Sequence, residues 1–428
     1  MSGRSRRYLA AVGLATPVLV IVAAVVFDGP SLNRRLGQLY SDQRFFELRE
    51  LLESVTENSP EVLYYRGMIA NAFNQSAESE NALIAFLDAA GDRVSASVRS
   101  DVLLALADDY ARQFNYARAA EFRERALPLL DKSISRSELA AFKSTIALWT
   151  AMSSAPPQTV DIPADAEIAL TEGGEIPVTI NGREIPLLPD TGSALSMIDS
   201  ADAERLGLDV LDITVEVGTA TGKIVKAKPC LVPELRFGGV IVRNALFLVV
   251  PEEMLYFHEP GSQRQGLMAF PILAGLREFT FTRQGRFIVT AHPSLEGPPN
   301  VFLSSTQTVI EAYYEGRRLL FFFDTGGFST ELFPSFFKAF EPEILRRGLY
   351  APATIEGVGT RAKTPVYFMS GMSFQVAGEE VRFERPVPVL TRTTGETSDI
   401  FDGSFGFDLM TGHQELTLNY EAMRFSLR

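Results

Sequence analysis

The tripeptide Asp-Thr-Gly occurs twice, at Asp190-Thr191-Gly192 and Asp324-Thr325-Gly326, and its flanks repeat with it. Each copy closes an apolar run, Ile185-Pro186-Leu187-Leu188 in one case and Leu319 to Phe323 in the other. Eight residues before each Asp stands a Gly in a turn signal, Asn181-Gly182 and Glu315-Gly316. An Asn-Gly pair between apolar strands is a strong hairpin signal. Each Asp is therefore expected where a hairpin's second strand ends and a tight Thr-Gly turn begins.

The similarity runs well past the tripeptide, and a repeat of this length decides the architecture. After Asp190 come Ile198-Asp199 and a short helical stretch from Ala201 to Leu206, ending at Gly207. After Asp324 come Leu332-Phe333 and a helical stretch from Ser335 to about Arg347, ending at Gly348. Thr214 to Thr219 and Thr354 to Thr360 each read as a strand running into a Gly-containing hairpin tip. Gly266-Leu267-Met268-Ala269-Phe270 aligns with Gly403-Ser404-Phe405-Gly406-Phe407. A strand pair follows each, Phe279 to Val289 and Leu416 to Leu427. One turn Asp is unremarkable, since Asp favours turns. Two with matched flanks in matched order suggest carboxylates facing each other across a pseudo-twofold axis.

These residues resemble the aspartic peptidases, specifically the retropepsin-like bacterial aspartyl proteases, over about residues 165–428. The resemblance implies two such lobes fused in one chain, as in pepsin-like enzymes, so that one polypeptide makes the whole dyad. It assigns Asp190 and Asp324 as catalytic, with Thr191 and Thr325 interlocking beneath them and Gly192, Ser193 and Gly326 completing the support. Gly218 with Thr219, and Gly359 with Thr360, fall where flaps belong, and Phe405-Gly406 matches the apolar-Gly motif. Three positions depart from the pattern: Ala269 replaces a Gly, Gly327 replaces Ala or Ser, and Pro189 directly precedes Asp190. They keep open a catalytically silent, peptide-binding descendant.

Amide hydrolysis needs a nucleophile, a proton for the leaving amine and stabilisation of an oxyanion. Two carboxyls within hydrogen-bond reach cannot both ionise easily, so one becomes a base and the other an acid, and they titrate as a pair. The Thr hydroxyls and Gly amides are expected to hold the carboxylates coplanar. No metal or cofactor is expected. His258, His292 and His413 lack metal-ligand spacing, and the lone Cys230 reads as a buried residue. Neither a G-x-S-x-G elbow nor a Walker-type loop occurs.

The chain opens with Arg4, Arg6 and Arg7 before an uncharged, mainly apolar run from Tyr8 to Phe27. Its length suits a membrane span, and the preceding basic cluster predicts a cytoplasmic N-terminus. The expectation is an uncleaved single-pass anchor in the inner membrane, with the C-terminal body in the periplasm. From Leu32 to Leu148 the sequence reads as helices. Leu106-Ala107, Tyr110, Asn115-Tyr116, Ala119 and Ala126 resemble a tetratricopeptide repeat, and Tyr64, Gly67, Ala82, Phe86 and Ala89 form a looser unit. A third unit starts at Leu36-Gly37 and Tyr40. Such an array either docks a protein partner or serves as a spacer.

The fold class expected is multidomain: a membrane-anchor helix, an all-α helical-repeat region, then an all-β bilobal acid-protease-like domain. The boundaries are residues 1–30 for the tail and anchor, 31–150 for the helices, 151–165 for a Pro-containing linker, 166–292 for the first lobe, 293–300 for the inter-lobe linker and 301–428 for the second lobe. A net charge of −13 argues against nucleic acid as partner. The function implied is a membrane-anchored aspartic endopeptidase acting on protein or peptide substrates. The alternatives are a silent peptide-binding scaffold and an envelope assembly factor that uses its helical repeats.

Overall fold

A computed structural model describes residues 31–131, 134–218, 224–255, 264–357, 360–392 and 400–428. The apolar run from Tyr8 to Phe27 lies outside the described residues, as do Thr219, Gly359 and His258. Among the described residues, no helix is long and apolar enough to cross a membrane. The described chain forms two compact units: residues up to 157 with 302–305, and residues 158–301 with 306–428.

The first unit is helical, with α-helices Ser31–Ser41, Phe45–Ser54, Pro60–Ala72, Ser76–Ala90, Ala96–Arg112, Tyr116–Ala126 and Arg136–Ala151. Ser59, Ser95, Asn115 and Ser135 cap helix starts by accepting a backbone N–H, and Glu138 completes a capping box with Ser135. Three junctions share one turn. Gln43, Asn74 and Phe114, each two residues past a helix end, take positive φ. The next amide then reaches back five residues, from Arg44 to Leu39, Gln75 to Ala70 and Asn115 to Tyr110. This satisfies carbonyls that a helix end leaves free. Small residues sit where helices touch: Ala107, Ala119 and Ala126 are fully buried, and a Cβ on Gly67 would meet the Leu83 side chain at 2.4 Å.

The second unit is mostly β. The two turn signals form the hairpins expected of them. Strands Ile176–Ile180 and Arg183–Pro189 pair antiparallel around Asn181 and Gly182, whose φ values are 50° and 74°. Strands Gln307–Tyr314 and Arg317–Phe323 do the same around Glu315 and Gly316, at 49° and 73°. Positive φ at both positions gives the turn whose twist suits a two-residue hairpin.

Each hairpin belongs to a larger sheet, and the strand order around it is the same in both. In the first, Arg183–Pro189 runs parallel to Gly266–Met268, which is antiparallel to Ser196–Asp199, which runs parallel to Val240–Val250. In the second, Arg317–Phe323, Gly403–Phe405, Glu331–Leu332 and Val387–Leu390 follow in the same order and senses. The long strand Ile224–Phe237 pairs with both Val240–Val250 and Ile176–Ile180, closing the first sheet into a barrel. The two hairpin-tip segments are strands Val215–Gly218 with Ile224–Phe237, and Leu349–Gly357 with Thr360–Met369.

A five-stranded antiparallel sheet joins the two halves: Ala166–Ala169, Arg286–Val289, Glu278–Thr282, Glu415–Asn419 and Arg424–Leu427. Phe279, Phe287, Leu416, Leu418 and Phe425 from its strands are fully buried.

Two local expectations change. The stretch 151–165 contains a strand, Thr159–Asp161, paired with Val240–Val250. Val160 is held there by Gly275, where a Cβ would approach it to 2.6 Å. The helix Pro334–Arg347 is kinked: Phe340 leaves helical φ/ψ two residues before Pro342, which cannot donate an intrahelical bond.

Candidate active site

Asp190 and Asp324 stand at equivalent strand ends. The Asp190 amide donates to the Met268 carbonyl at 2.8 Å, and the Asp324 amide to the Phe405 carbonyl at 2.9 Å. Beyond each Asp the chain turns within the tripeptide, and the Gly amide folds back onto the carboxylate. Gly192 N–H donates to Asp190 Oδ1 at 2.8 Å, and Gly326 N–H to Asp324 Oδ1 at 2.9 Å. Gly327 N–H adds a second donor to Asp324 at 3.1 Å.

The two loops meet face to face. A Cβ built on Gly192 would lie 2.4 Å from Asp324 Cγ, and one on Gly326 would lie 2.5 Å from Asp190 Cγ. Each carboxylate thus occupies the space that the other half's glycine leaves vacant, which brings the two carboxyls close together. Burial, then the adjacent Asp324 carboxylate, push the Asp190 carboxyl well above the usual carboxylate range. Burial also raises Asp324, against the opposing donation of the Gly327 and Gly326 amides. The pair therefore holds one proton to higher pH than isolated carboxylates would.

Thr191 and Thr325 lock the loops together, but not through the carboxylates as expected. Thr191 Oγ1 donates to the Phe323 carbonyl at 2.8 Å and accepts from the Thr325 amide at 3.0 Å. Thr325 Oγ1 donates to the Pro189 carbonyl at 2.7 Å and accepts from the Thr191 amide at 3.0 Å. A threonine hydroxyl has one proton and two lone pairs, and here it spends them on the opposite half's backbone. The bonds to the carboxylates come instead from the glycine amides. Ser193 also differs from expectation: its hydroxyl donates to the Leu195 carbonyl at 3.0 Å. Its amide donates to the Asp190 backbone carbonyl at 3.4 Å.

Residues 176–272 match the family model described as Aspartyl protease. That aspartyl-protease match takes in the first hairpin, the Asp190 loop and the Gly266–Met268 strand. A Sinorhizobium sp. protein, described as an uncharacterized protein in the cobV 5' region, is 36% identical over 72 residues. The match covers 16% of this chain and 30% of that protein. The crystal structure of a retropepsin-like aspartic protease from Rickettsia conorii is similar over 31% of this chain and 91% of its own, at 20% identity and a TM-score of 0.21.

The positions that depart from the aspartyl-protease pattern are accommodated. Ala269 is buried, and its amide donates to Ser196 Oγ at 3.1 Å. Gly406 makes the equivalent bond to Thr330 Oγ1 at 3.3 Å, but a Cβ there would strike the Ser329 backbone at 2.7 Å. A methyl fits behind Asp190 and not behind Asp324. Pro189 lies beyond the last antiparallel pair of its hairpin, Ile176 with Leu187, so its missing N–H orphans nothing there. Its carbonyl is the acceptor that Thr325 uses.

Of the hairpin-tip residues, Gly218 ends the strand Val215–Gly218 and Thr360 begins the strand Thr360–Met369. Several supporting groups carry no sequence motif. Gln307 Nε2 donates to the Gly192 carbonyl at 2.6 Å, bracing the first loop from the second half. Asp408 accepts from Thr330 N–H at 2.9 Å and from its hydroxyl at 2.7 Å. Glu331, seven residues after Asp324, is a third carboxyl in the neighbourhood; burial, then the Asp324 carboxylate, raise it to about 7. Cys230 is buried, which pushes its thiol up to about 12 and leaves it unreactive. A cavity of about 490 Å³ is lined by Pro189, Thr325, Phe328 and Met410 but by neither Asp190 nor Asp324.

Proposed function

We propose that the β unit is an aspartic endopeptidase made of two fused retropepsin-like lobes, which hydrolyses protein or peptide substrates with water activated by Asp190 and Asp324. The observation that carries this reading is the reciprocal approach of each carboxylate to the other half's glycine, 2.4 Å and 2.5 Å from the position a Cβ would take. Carboxyls brought that close share one proton, which supplies a base and an acid at one point.

The ionised carboxylate takes a proton from water as the water oxygen attacks the scissile carbonyl. The protonated carboxyl donates to the carbonyl oxygen, giving a tetrahedral diol. Collapse breaks the C–N bond, a proton passes to the departing amine, and the dyad is left with one proton as before. The hairpin tips around Gly218 and Thr360 act as flaps over an extended substrate held mainly by its backbone. In the same reading, the run from Tyr8 to Phe27 tethers the chain to the inner membrane with the body in the periplasm. The helical unit, tetratricopeptide-like in its small-residue spacing, docks a protein partner.

The test is to incubate the full-length chain with a diverse peptide mixture from acidic to neutral pH, beside Asp190→Asn and with a statine-type inhibitor. Cleavage that disappears in Asp190→Asn is expected. A folded protein that cuts nothing across that range would overturn the peptidase reading in favour of a peptide-binding scaffold.

A further inference from the structure

The strand next to each Asp carries a cross-strand row of three side chains, and the two rows differ in chemistry. In the first half the row is Leu188, Leu267 and Met197, read across two registers. All three are buried, at 4%, 1% and 1% exposure. In the second half the same strands and registers bring together Phe322, Ser404 and Glu331. Phe322 is buried, but Ser404 and Glu331 remain partly open. Residues directly opposite one another project from the same face of a sheet. Phe322 stands two residues before Asp324, so this row flanks the dyad on one side as the apolar row flanks it on the other.

Glu331 is out of place by the logic of the first half. Its counterpart is Met197, an apolar residue that needs no partner. Among the described residues, the Glu331 side chain has no hydrogen bond and no ion pair. Its carboxyl is partly withdrawn from water, and the Asp324 carboxylate acts on it with like charge. Both effects disfavour ionisation and lift it to about 7. An acidic group kept in such a place without a partner costs stability, and a cation brought to it would recover that cost. The chain offers none in the described structure. A substrate lying along the dyad can.

We propose that Glu331 is a specificity-determining residue that receives a cationic side chain, lysine or arginine, of the substrate beside the cleaved bond on the Asp324 side. This rests on the peptidase reading above and narrows its substrate class to peptides with a basic residue near the cut.

The experiment uses the full-length chain and matched peptides with lysine or norleucine at each position flanking the cleaved bond. It compares wild type with Glu331→Gln and with Glu331→Met, which copies the first half. At one position kcat/KM should favour lysine by about tenfold or more, and in both variants the ratio of lysine to norleucine cleavage should fall to about one. Circular dichroism spectra matching wild type show that the variants are folded. A preference unchanged in the variants, or no lysine preference at any position, would overturn the inference. If wild type cleaves none of the peptides, binding titrations with the same set decide the matter. Tighter binding of lysine peptides that vanishes in Glu331→Gln would uphold the role of Glu331 while the peptidase reading falls. Equal binding of both peptides would sink both.

Discussion

The carboxylate of Asp190 stands where a side chain on Gly326 would have to be, with its Cγ 2.5 Å from that Cβ position. The glycine is therefore fixed by a neighbour 136 residues away in sequence rather than by its own turn. Its mirror, Gly192 against Asp324, is just as tight. Gly192→Ala and Gly326→Ala should each push the carboxyls apart, costing about 1–3 kcal/mol of stability and well over tenfold in peptide cleavage. Melting curves and kcat/KM on one peptide would check both numbers.

Asp190→Asn and Asp324→Asn should each lower cleavage by about 10²–10⁴-fold while the protein stays folded. Their effect on stability depends on pH. Both carboxyls are raised in the folded state, so the native protein holds protons that the unfolded chain releases. Stability from this source is present below the ordinary carboxylate range and is lost as pH rises through the raised values. Denaturant midpoints of wild type should thus fall from mildly acid to neutral pH, and either Asn variant should show a shallower fall. Glu331, raised to about 7, adds to the slope, and Glu331→Gln should remove that share.

Thr191→Val and Thr325→Val keep the shape of the side chain and delete its hydroxyl. Each loss strands a buried carbonyl, Phe323 or Pro189, and a buried amide on the facing threonine. The expected cost is about 1–3 kcal/mol for each group left unpaired, with lowered activity because the carboxyls lose their relative position. The two hydroxyls share no bond, so the double variant should cost about the sum of the singles unless the first loss already loosens the seam that both span. Urea denaturation of the four proteins would measure that coupling.

Gly67→Ala addresses the helical unit. A methyl there would lie 2.4 Å from Leu83 Cδ2 and 2.5 Å from its Cγ. Overpacking of about 1–3 kcal/mol is set against about 1 kcal/mol gained from alanine's helix propensity. The balance should destabilise, and a lower thermal midpoint followed at the helical circular dichroism band would record it.

The parts of the fold that local chemistry dictates were readable in advance. Asn181-Gly182 marked a hairpin because positive φ at both positions suits few residues, and Glu315-Gly316 was found through its spacing to the second Asp. The helix after Asp199 was marked by Gly207, which takes φ 66°. What escaped depends on distant partners. Nothing local in Glu278–Thr282 tells it to pair with Glu415–Asn419. Thr159–Asp161 is too short and too near prolines to show a strand pattern, and it exists because Val240–Val250 offers an edge. In the site, the aspartates and glycines were legible from the tripeptides. The threonine partners were not, because their acceptors are backbone atoms of the other half. Gln307 and Glu331 carry no motif, and only the strand registers bring them to the loops.

The five-stranded sheet has a consequence for the life of the chain. It pairs Arg286–Val289 with Ala166–Ala169 on one side, and Glu278–Thr282 with Glu415–Asn419 and then Arg424–Leu427 on the other. A polypeptide still emerging from its ribosome lacks those last strands and so holds an incomplete seam. Until residue 427 is free, the earlier Asp-Thr-Gly loop has a partner loop that is not yet anchored. The two Asp-Thr-Gly loops would thus gain a common anchor only once Glu415–Asn419 and Arg424–Leu427 have been made, so that assembly of the facing carboxyls waits on strands far downstream of the first loop.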